Sequence, residues 1–332
     1  MGNFRDKAGE IMKKIILIIL IMLAICGILC IFASCGGEPE ITDPDEILRE
    51  ILKNYRTNGM TSWWEIAAVY NADENPLDYK GFDDVLASLE GETNLKMAAY
   101  VIVTNIAVVI GAQEHYFEYY EEYKNKLKNL LENPTGDYPL NDYIFAFYAL
   151  RCSGTDFDHG EFHQYIRGAQ KADGGFALSA SQETGDADVT AFVISALQLI
   201  YRNDDPGMRV AYDRSIITPA LEFLKNNINE NGTLSSYGNE NAESTACALS
   251  ALIDWGMDDE AMQILSDGLA LFKVKNENKY SHLKGGKADP LATAQTAIAL
   301  GCLKNKTSFW EKLYLESLYA FDGDDDDDED FE

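Results

Sequence analysis

The sequence predicts an all-helical domain in which about six inner helices alternate with about six outer helices. The first observation is a short phrase ending in Ala-Leu that recurs at Leu150, Leu197, Leu252 and Leu300, with intervals of 47, 55 and 48 residues. A period of about fifty residues indicates a repeat whose unit holds two helices. The second observation is that nearly uncharged segments alternate with amphipathic ones, as buried helices do beside solvent-facing helices. Six such pairs predict a closed double-layered ring, with an open solenoid as the alternative.

The start of the chain has the layout of a secretory signal. Four basic residues precede an uncharged run from Ile15 to Ser34, which matches a basic region followed by an apolar stretch. The run is also long enough to span a membrane, so a retained anchor is the alternative. The segment FASCGG, from Phe32 to Gly37, resembles the lipobox of bacterial lipoproteins, with Phe32 where leucine is usual. The resemblance implies cleavage before Cys35 and a lipid on its thiol, which would tether the domain outside the cytoplasmic membrane.

Four parts follow from these patterns. They are a signal peptide at 1–34, a lipidated linker at 35–44, the helical domain at 45–320 and an acidic tail at 321–332. Nine of the last eleven residues are acidic, and their spacing lacks the pattern of a calcium-binding loop, so a solvated disordered tail is predicted. The net charge of −28 argues against nucleic acid as a partner. Cys152, Cys247 and Cys302 lie in apolar helical stretches and are predicted to be free and buried.

The helices are predicted in order along the chain. Outer helices are expected at 45–56, 81–89, 115–131, 161–170, 216–228 and 258–272. Inner helices are expected at 63–71, at 95–110 and around the four Ala-Leu phrases.

Two segments of the repeat resemble a known superfamily. The segment QKADGGF at 170–176, followed by GDADVTAFVISAL, resembles the repeat of the prenyltransferase and squalene cyclase superfamily, and NGTL at 231–234 begins a weaker copy. The resemblance covers roughly residues 60 to 303 and implies an α/α toroid. It is closest to the non-enzymatic versions found on surface proteins of Gram-positive bacteria. Those versions also resemble the helical domain of vitamin B12 carriers, which makes a corrinoid one candidate ligand.

Equivalent positions at the start of the inner helices suggest a site. Six residues before the alanine of each Ala-Leu pair stand Tyr143, Thr190, Thr245 and Thr293, and two residues earlier stand Asn141, Asp188, Glu243 and Leu291. In one interpretation, the short polar side chains cap the first turn of each helix. In the other, they converge on one mouth of the ring and bind a ligand, which the acids suggest is cationic or polyhydroxylated. The predicted ligand-binding residues are Asn141, Asp186, Asp188, Tyr237 and Glu243.

The catalytic branches of the superfamily offer two alternatives. The segment DADVTA, from Asp186 to Ala191, resembles the DxDDTA motif of class II terpene cyclases, which implies Asp188 as the general acid, although Val189 replaces the next aspartate. Aromatic residues for such a cavity would be Phe176, Tyr237, Trp63 and Trp64. Protein prenyltransferases bind zinc through Asp-x-Cys and a distant histidine, and the corresponding segments here have neither the cysteine nor the histidine.

The sequence therefore predicts a membrane-anchored extracytoplasmic lipoprotein whose toroid is a non-catalytic module, with no metal and no cofactor. Its expected partners are the membrane, through a lipid on Cys35, and a small molecule or a surface protein of unknown identity. A terpenoid cyclase-like enzyme that uses Asp188 and a structural surface protein are the alternatives.

Overall fold

A computed structural model describes residues 43–112, 118–201, 213–256 and 259–322. These residues form thirteen α-helices and one two-stranded antiparallel hairpin, which confirms the prediction of an all-α fold. The predicted signal, Cys35, and most of the linker and of the acidic tail lie outside the described residues. Among the described helices, none combines the length and apolar character that crossing a membrane requires.

The elements follow one another with short connections. In chain order they are α1 (Pro44–Asn58), α2 (Trp63–Asn71), α3 (Phe82–Ser88), α4 (Asn94–Val109), α5 (Tyr120–Glu132), α6 (Leu140–Arg151), α7 (Gly160–Ala169), α8 (Ala187–Tyr201), α9 (Thr218–Asn226), β1 (Leu234–Ser236), β2 (Asn239–Asn241), α10 (Ala242–Asp254), α11 (Asp259–Ala270), α12 (Pro290–Asn305) and α13 (Phe309–Asp322). We call α2, α4, α6, α8, α10 and α12 the inner helices. Most of their described residues are buried, whereas α1, α5 and α7 expose one polar face.

The inner helices contact one another in a closed order. Each contacts the next along the chain, and α12 contacts α2. Near the helix starts, Nδ2 of Asn94 in α4 donates to Oδ2 of Asp142 in α6 at 3.1 Å. Near the helix ends, Nδ2 of Asn105 in α4 donates to the carbonyl of Ala149 in α6 at 3.1 Å. The first turns of α4 and α6 contact each other, and so do residues near their ends. The two helices therefore run parallel.

A threonine in each of three repeats makes the same hydrogen bonds. The hydroxyls of Thr190, Thr245 and Thr293 accept from the backbone N–H groups of Phe176, Leu234 and Tyr280 at 2.8, 3.0 and 2.9 Å. Each also donates to the carbonyl four residues earlier, at 2.6, 2.8 and 2.7 Å. One hydroxyl thus fixes the preceding turn to the first turn of each inner helix, as the predicted equivalence of these threonines requires.

Helix α13 packs against four of the inner helices. It contacts α2, α4, α8 and α12, which occupy different sides of the closed order. Its side chains from Phe309 to Ser317 are mostly buried. Nζ of Lys312 donates to the carbonyl of Tyr70 at 2.8 Å and to Oδ1 of Asp73 at 2.6 Å, which fastens α13 to the end of α2. The sequence pattern does not predict this packing, because the segment lacks the Ala-Leu phrase of the repeats.

Candidate functional site at the start of the inner helices

Four aromatic side chains form a floor near the end where the inner helices begin. The rings of Trp63 and Trp64 stack with centroids 3.9 Å apart. Phe145 meets both edge-on at 5.9 and 5.8 Å, and Phe192 stacks on Trp64 at 6.2 Å. Both phenylalanines are buried, whereas both tryptophans are partly exposed. The tryptophans therefore offer an aromatic surface to solvent. We call this end, formed by the first turns of the inner helices, the mouth.

The space below this floor is filled by the protein itself. The indole of Trp310 in α13 lies parallel to the ring of Tyr148 with centroids 3.8 Å apart, and the Tyr148 hydroxyl donates to the carbonyl of Phe192 at 2.6 Å. A cavity of about 30 Å³ remains between Trp64, Phe192 and the start of α13. That volume holds about one or two water molecules, so this cavity is too small for a larger ligand.

Three of the predicted site residues occupy the same helical position. Asn141, Asp188 and Glu243 are each the second residue of their inner helix. The residues four positions later are Phe145, Phe192 and Cys247, of which the last two line the small cavity and the first belongs to the aromatic floor. Residues four apart share one face of a helix. Asn141, Asp188 and Glu243 therefore lie one turn above the floor, at the mouth.

The interpretation as helix caps is wrong for Asn141 and Glu243, whereas Asp188 and Glu243 lie in the first turn of their helices, where an acid complements the helix dipole. The capping side chains stand two residues earlier: Asn241 accepts from the N–H of Ser244 at 2.8 Å, and Asp289 accepts from the N–H of Ala292 at 3.0 Å. Helix α6 follows Pro139 and has no side-chain cap. A capping side chain precedes the helix and reaches back over the free N–H groups, whereas Asn141 and Glu243 already belong to the first turn. Their polar groups are thus available for other contacts.

Two of these side chains have an unpartnered oxygen. Oδ1 of Asn141 and Oδ1 of Asp188 are buried and accept no hydrogen bond from the described residues. Glu243 differs, because its Oε2 lies 2.8 Å from Nδ1 of His282, whose side chain is about half exposed. A buried acceptor without a donor costs about 1–3 kcal/mol. A ligand that brings hydroxyl or N–H donors to Asn141 and Asp188 would remove that cost.

Asp186 and Tyr237 are placed differently from the other three. Asp186 is buried, and its Oδ2 accepts from the hydroxyl of Ser236 at 2.6 Å, which ties the start of α8 to β1, whereas its Oδ1 has no hydrogen-bond partner among the described residues. Burial raises the pKa of Asp186, and the hydrogen bond from Ser236 acts in the opposite direction. Tyr237 lies in the turn between β1 and β2, is 68% exposed and accepts from Nε2 of Gln182 at 3.4 Å. Asp186 thus supports the structure, and Tyr237 lies on the surface.

The thiol below the mouth is not suited to act as a nucleophile. Sγ of Cys247 lies 3.5 Å from Oε1 of Gln295. Burial raises the pKa of the Cys247 thiol well above its ordinary value, and the nearby Glu243 and Asp186 raise it further. A thiol that stays protonated is a poor nucleophile and a poor metal ligand. Within the part of the chain that the structure describes, no three acidic, histidine or cysteine residues are grouped so that they could hold a metal ion.

Sequence reasoning missed several residues at this end of the protein. His282 is 39 residues from Glu243, and no pattern in the sequence links the two. Asp142 is also buried beside the mouth, where burial raises its pKa and the hydrogen bond from Asn94 lowers it. Trp63 and Trp64 were considered only as cyclase aromatics, although two adjacent tryptophans at the start of an inner helix were the available signal.

Comparisons with known proteins inform the fold only. No protein-family model matches the chain, and no curated protein matches it. Among solved structures, a protein described as a polysaccharide lyase is similar, with a TM-score of 0.54 and 11% sequence identity. The similarity covers 82% of this chain and 98% of the lyase chain. At this level of identity the two proteins share a fold, and the activity of one does not transfer to the other.

Proposed function

We propose that the described helices form an α/α toroid and that its mouth is a non-catalytic binding site for a saccharide-type ligand. The closed order of contacts among the inner helices supports the toroid, as does the resemblance of QKADGGF at 170–176 to the cyclase repeat. One observation carries the binding function: the partly exposed pair of Trp63 and Trp64 contacts Phe145 and Phe192, which lie one helical turn after Asn141 and Asp188, and both of these residues have an unpartnered oxygen.

These groups suit the two kinds of surface on a sugar. The C–H face of a sugar ring packs on a flat aromatic ring, which loses little conformational entropy because it has only two side-chain torsions. The hydroxyl edge donates hydrogen bonds to amide and carboxylate oxygens. A polyhydroxylated ligand fits better than a cationic one, because Asn141 is neutral and Glu243 already has a partner in His282.

The terpenoid cyclase alternative has less support. Such an enzyme must enclose a prenyl chain next to its acid, and ligand pockets of that kind occupy about 300–1,000 Å³. The cavity below the aromatic floor has about 30 Å³, and Trp310 fills the space beneath it. The arrangement favours a ligand that lies across the mouth over one that enters the interior.

A protein partner is the second candidate. Three large apolar side chains are exposed beside the starts of inner helices, with exposed fractions of 45% for Leu95, 68% for Tyr237 and 40% for Leu291. Exposed apolar surface is a property of protein interaction sites. A partner that covers the mouth would bury them.

The membrane anchor is a separate part of the proposal and depends on the FASCGG segment. When the full chain is expressed in a bacterial host with a tagged fatty acid, we expect the label to be incorporated. It should be lost in Cys35→Ser, because only a thiol at that position accepts the lipid. Cys30→Ser is the matched control and should keep the label, since Cys30 lies within the predicted signal. Label that persists in Cys35→Ser would show that the anchor is not this lipid.

Ligand binding is tested by the thermal stability of the full-length protein in detergent. Oligosaccharides, corrinoids, isoprenoids and metal ions are added in turn, because a ligand that binds the folded state raises the melting temperature. We expect oligosaccharides alone to raise it. Trp63→Ala should weaken their binding about tenfold, equivalent to about 1.4 kcal/mol, and Asp188→Asn should weaken it as well.

Tyr319→Ala serves as the matched control, since Tyr319 is 84% exposed on α13 and away from the mouth. It should bind like the unmodified protein. If oligosaccharides raise the melting temperature of Trp63→Ala as much as that of the unmodified protein, the ligand binds elsewhere. No shift with any compound would overturn the saccharide proposal and favour the protein partner.

A further inference from the structure

A second concave site lies between α7 and the segments that precede α6 and α8. It has a volume of about 390 Å³, within the range of about 300–1,000 Å³ that is usual for small-molecule sites. It is far larger than the cavity beneath the mouth. Its lining residues are Gly136, Tyr138, Leu140, Gln164, Tyr165, Gly168, Ala169, Lys171, Ala177, Leu178 and Ala180. We call it the lateral cleft.

Two tyrosines in this lining are held in place by a third. Tyr138 is 48% exposed, and the buried ring of Tyr143 lies 6.3 Å from it and 4.6 Å from the ring of Tyr165. The Tyr143 hydroxyl accepts from the N–H of Gly136 at 3.0 Å, which fixes the loop that carries Tyr138. The aromatic surfaces of the cleft are therefore formed before any ligand binds.

The polar groups of the cleft are suited to hydroxyls and carry no negative charge. Gln164 is exposed, and an amide supplies both donors and an acceptor. Nζ of Lys171 donates to the carbonyls of Ser179 and Ala180 at 3.4 and 3.1 Å, which holds the ammonium group at the edge of the cleft. None of the lining residues is acidic, although the chain as a whole has a net charge of −28. A neutral or acidic sugar therefore fits, and a cationic ligand does not.

Small residues keep the cleft open. A Cβ atom built on Gly168 in α7 would meet no heavy atom within 4 Å, and one built on Gly136 would meet only Cε2 of Tyr165 at 3.9 Å. Glycine in a helix costs about 0.5–1 kcal/mol relative to alanine. No packing contact requires Gly168, and the residue leaves the floor of the cleft accessible.

The lateral cleft and the mouth adjoin each other at the start of α6. Leu140 lines the cleft, and the next residue, Asn141, is on the face of α6 that belongs to the mouth. We propose that the lateral cleft is a second saccharide subsite, so that the protein binds an extended oligosaccharide of neutral or acidic sugars across the first turn of α6. This inference rests on the proposed function of the mouth and extends it to ligand length.

The test measures how the full-length protein in detergent binds to an array of neutral and uronate oligosaccharides of different lengths. It compares variants of the lateral cleft with variants of the mouth. Gly168→Trp fills the cleft, and Gly168→Ala is the matched control that leaves it open. We expect affinity to rise with oligosaccharide length in the unmodified protein and in Gly168→Ala. Gly168→Trp should weaken the binding of long ligands about tenfold and leave the binding of short ligands unchanged. Gln164→Ala should also weaken the binding of long ligands, and the fold should stay intact because Gln164 is exposed.

The outcomes separate this inference from the proposed function. If Gly168→Trp and Gln164→Ala bind long ligands as well as the unmodified protein does, the second subsite is overturned. The proposal for the mouth is not affected by that outcome. Binding that is lost in Gly168→Trp and retained in Trp63→Ala would support the lateral cleft and overturn the mouth. Absence of binding to every glycan on the array would overturn both.

Discussion

Replacing Trp310 by alanine is expected to lower the free energy of unfolding by about 3–5 kcal/mol, the usual cost of removing a buried tryptophan. Trp310 is 5% exposed, lies parallel to Tyr148 at 3.8 Å and contacts Phe309 and Phe145 at 4.6 and 6.0 Å. The alanine would leave a cavity, because the Trp310 indole packs against the rings of Tyr148, Phe145 and Phe309. Equilibrium unfolding in denaturant measures the effect.

Tyr319→Ala in the same helix is the control for this experiment. Its side chain is 84% exposed, so the change should alter stability by no more than about 0.5 kcal/mol. A loss of less than about 1 kcal/mol in Trp310→Ala would fall below the range for a buried aromatic residue. It would show that the Trp310 side chain is not tightly packed against Tyr148, and the space beneath the aromatic floor would again be available to a ligand.

The parts of the fold that the sequence predicted well depend on local contacts. Thr190, Thr245 and Thr293 were aligned from the Ala-Leu phrases alone, and they make equivalent hydrogen bonds in the structure. A repeat must pack against its neighbours in the same way each time, so equivalent contacts need equivalent residues at a fixed spacing. The same spacing placed Asn141, Asp188 and Glu243 at equivalent positions, although it left open what their side chains contact.

The parts that the sequence did not reveal depend on contacts between distant segments. Trp310 contacts Tyr148, and His282 contacts Glu243, and neither pair recurs in other repeats. The contacts of α13 with the inner helices are not encoded in its own pattern, because a buried aromatic helix has the same pattern whichever helices it packs against. The lateral cleft was also unpredictable, since it is a volume left between segments and its glycine and alanine residues form no motif.

Gly232→Ala is expected to cause the second largest loss of stability, after Trp310→Ala. Gly238→Ala is the matched control, because it separates the cost of the backbone conformation from the cost of close packing. Both glycines have left-handed backbones, with φ of +81° and +78°. A left-handed conformation costs an alanine about 1–2 kcal/mol, and Gly238→Ala should lose that amount because nothing lies within 4 Å of the added Cβ. A Cβ on Gly232 would lie 2.2 Å from the carbonyl oxygen of Ile264 in α11.

That contact must be relieved by moving α11 away from the turn that precedes β1, and overpacking of this kind costs about 1–3 kcal/mol more. Gly232→Ala should therefore lose about 2–5 kcal/mol in total, measured by denaturant unfolding alongside Gly238→Ala. Gly174 has the same role one repeat earlier, with φ of +88° and a Cβ position 2.5 Å from the carbonyl oxygen of Pro219 in α9. Equal losses at Gly232 and Gly238 would mean that only the backbone conformation matters and that the repeat turns do not require close approach to the next outer helix.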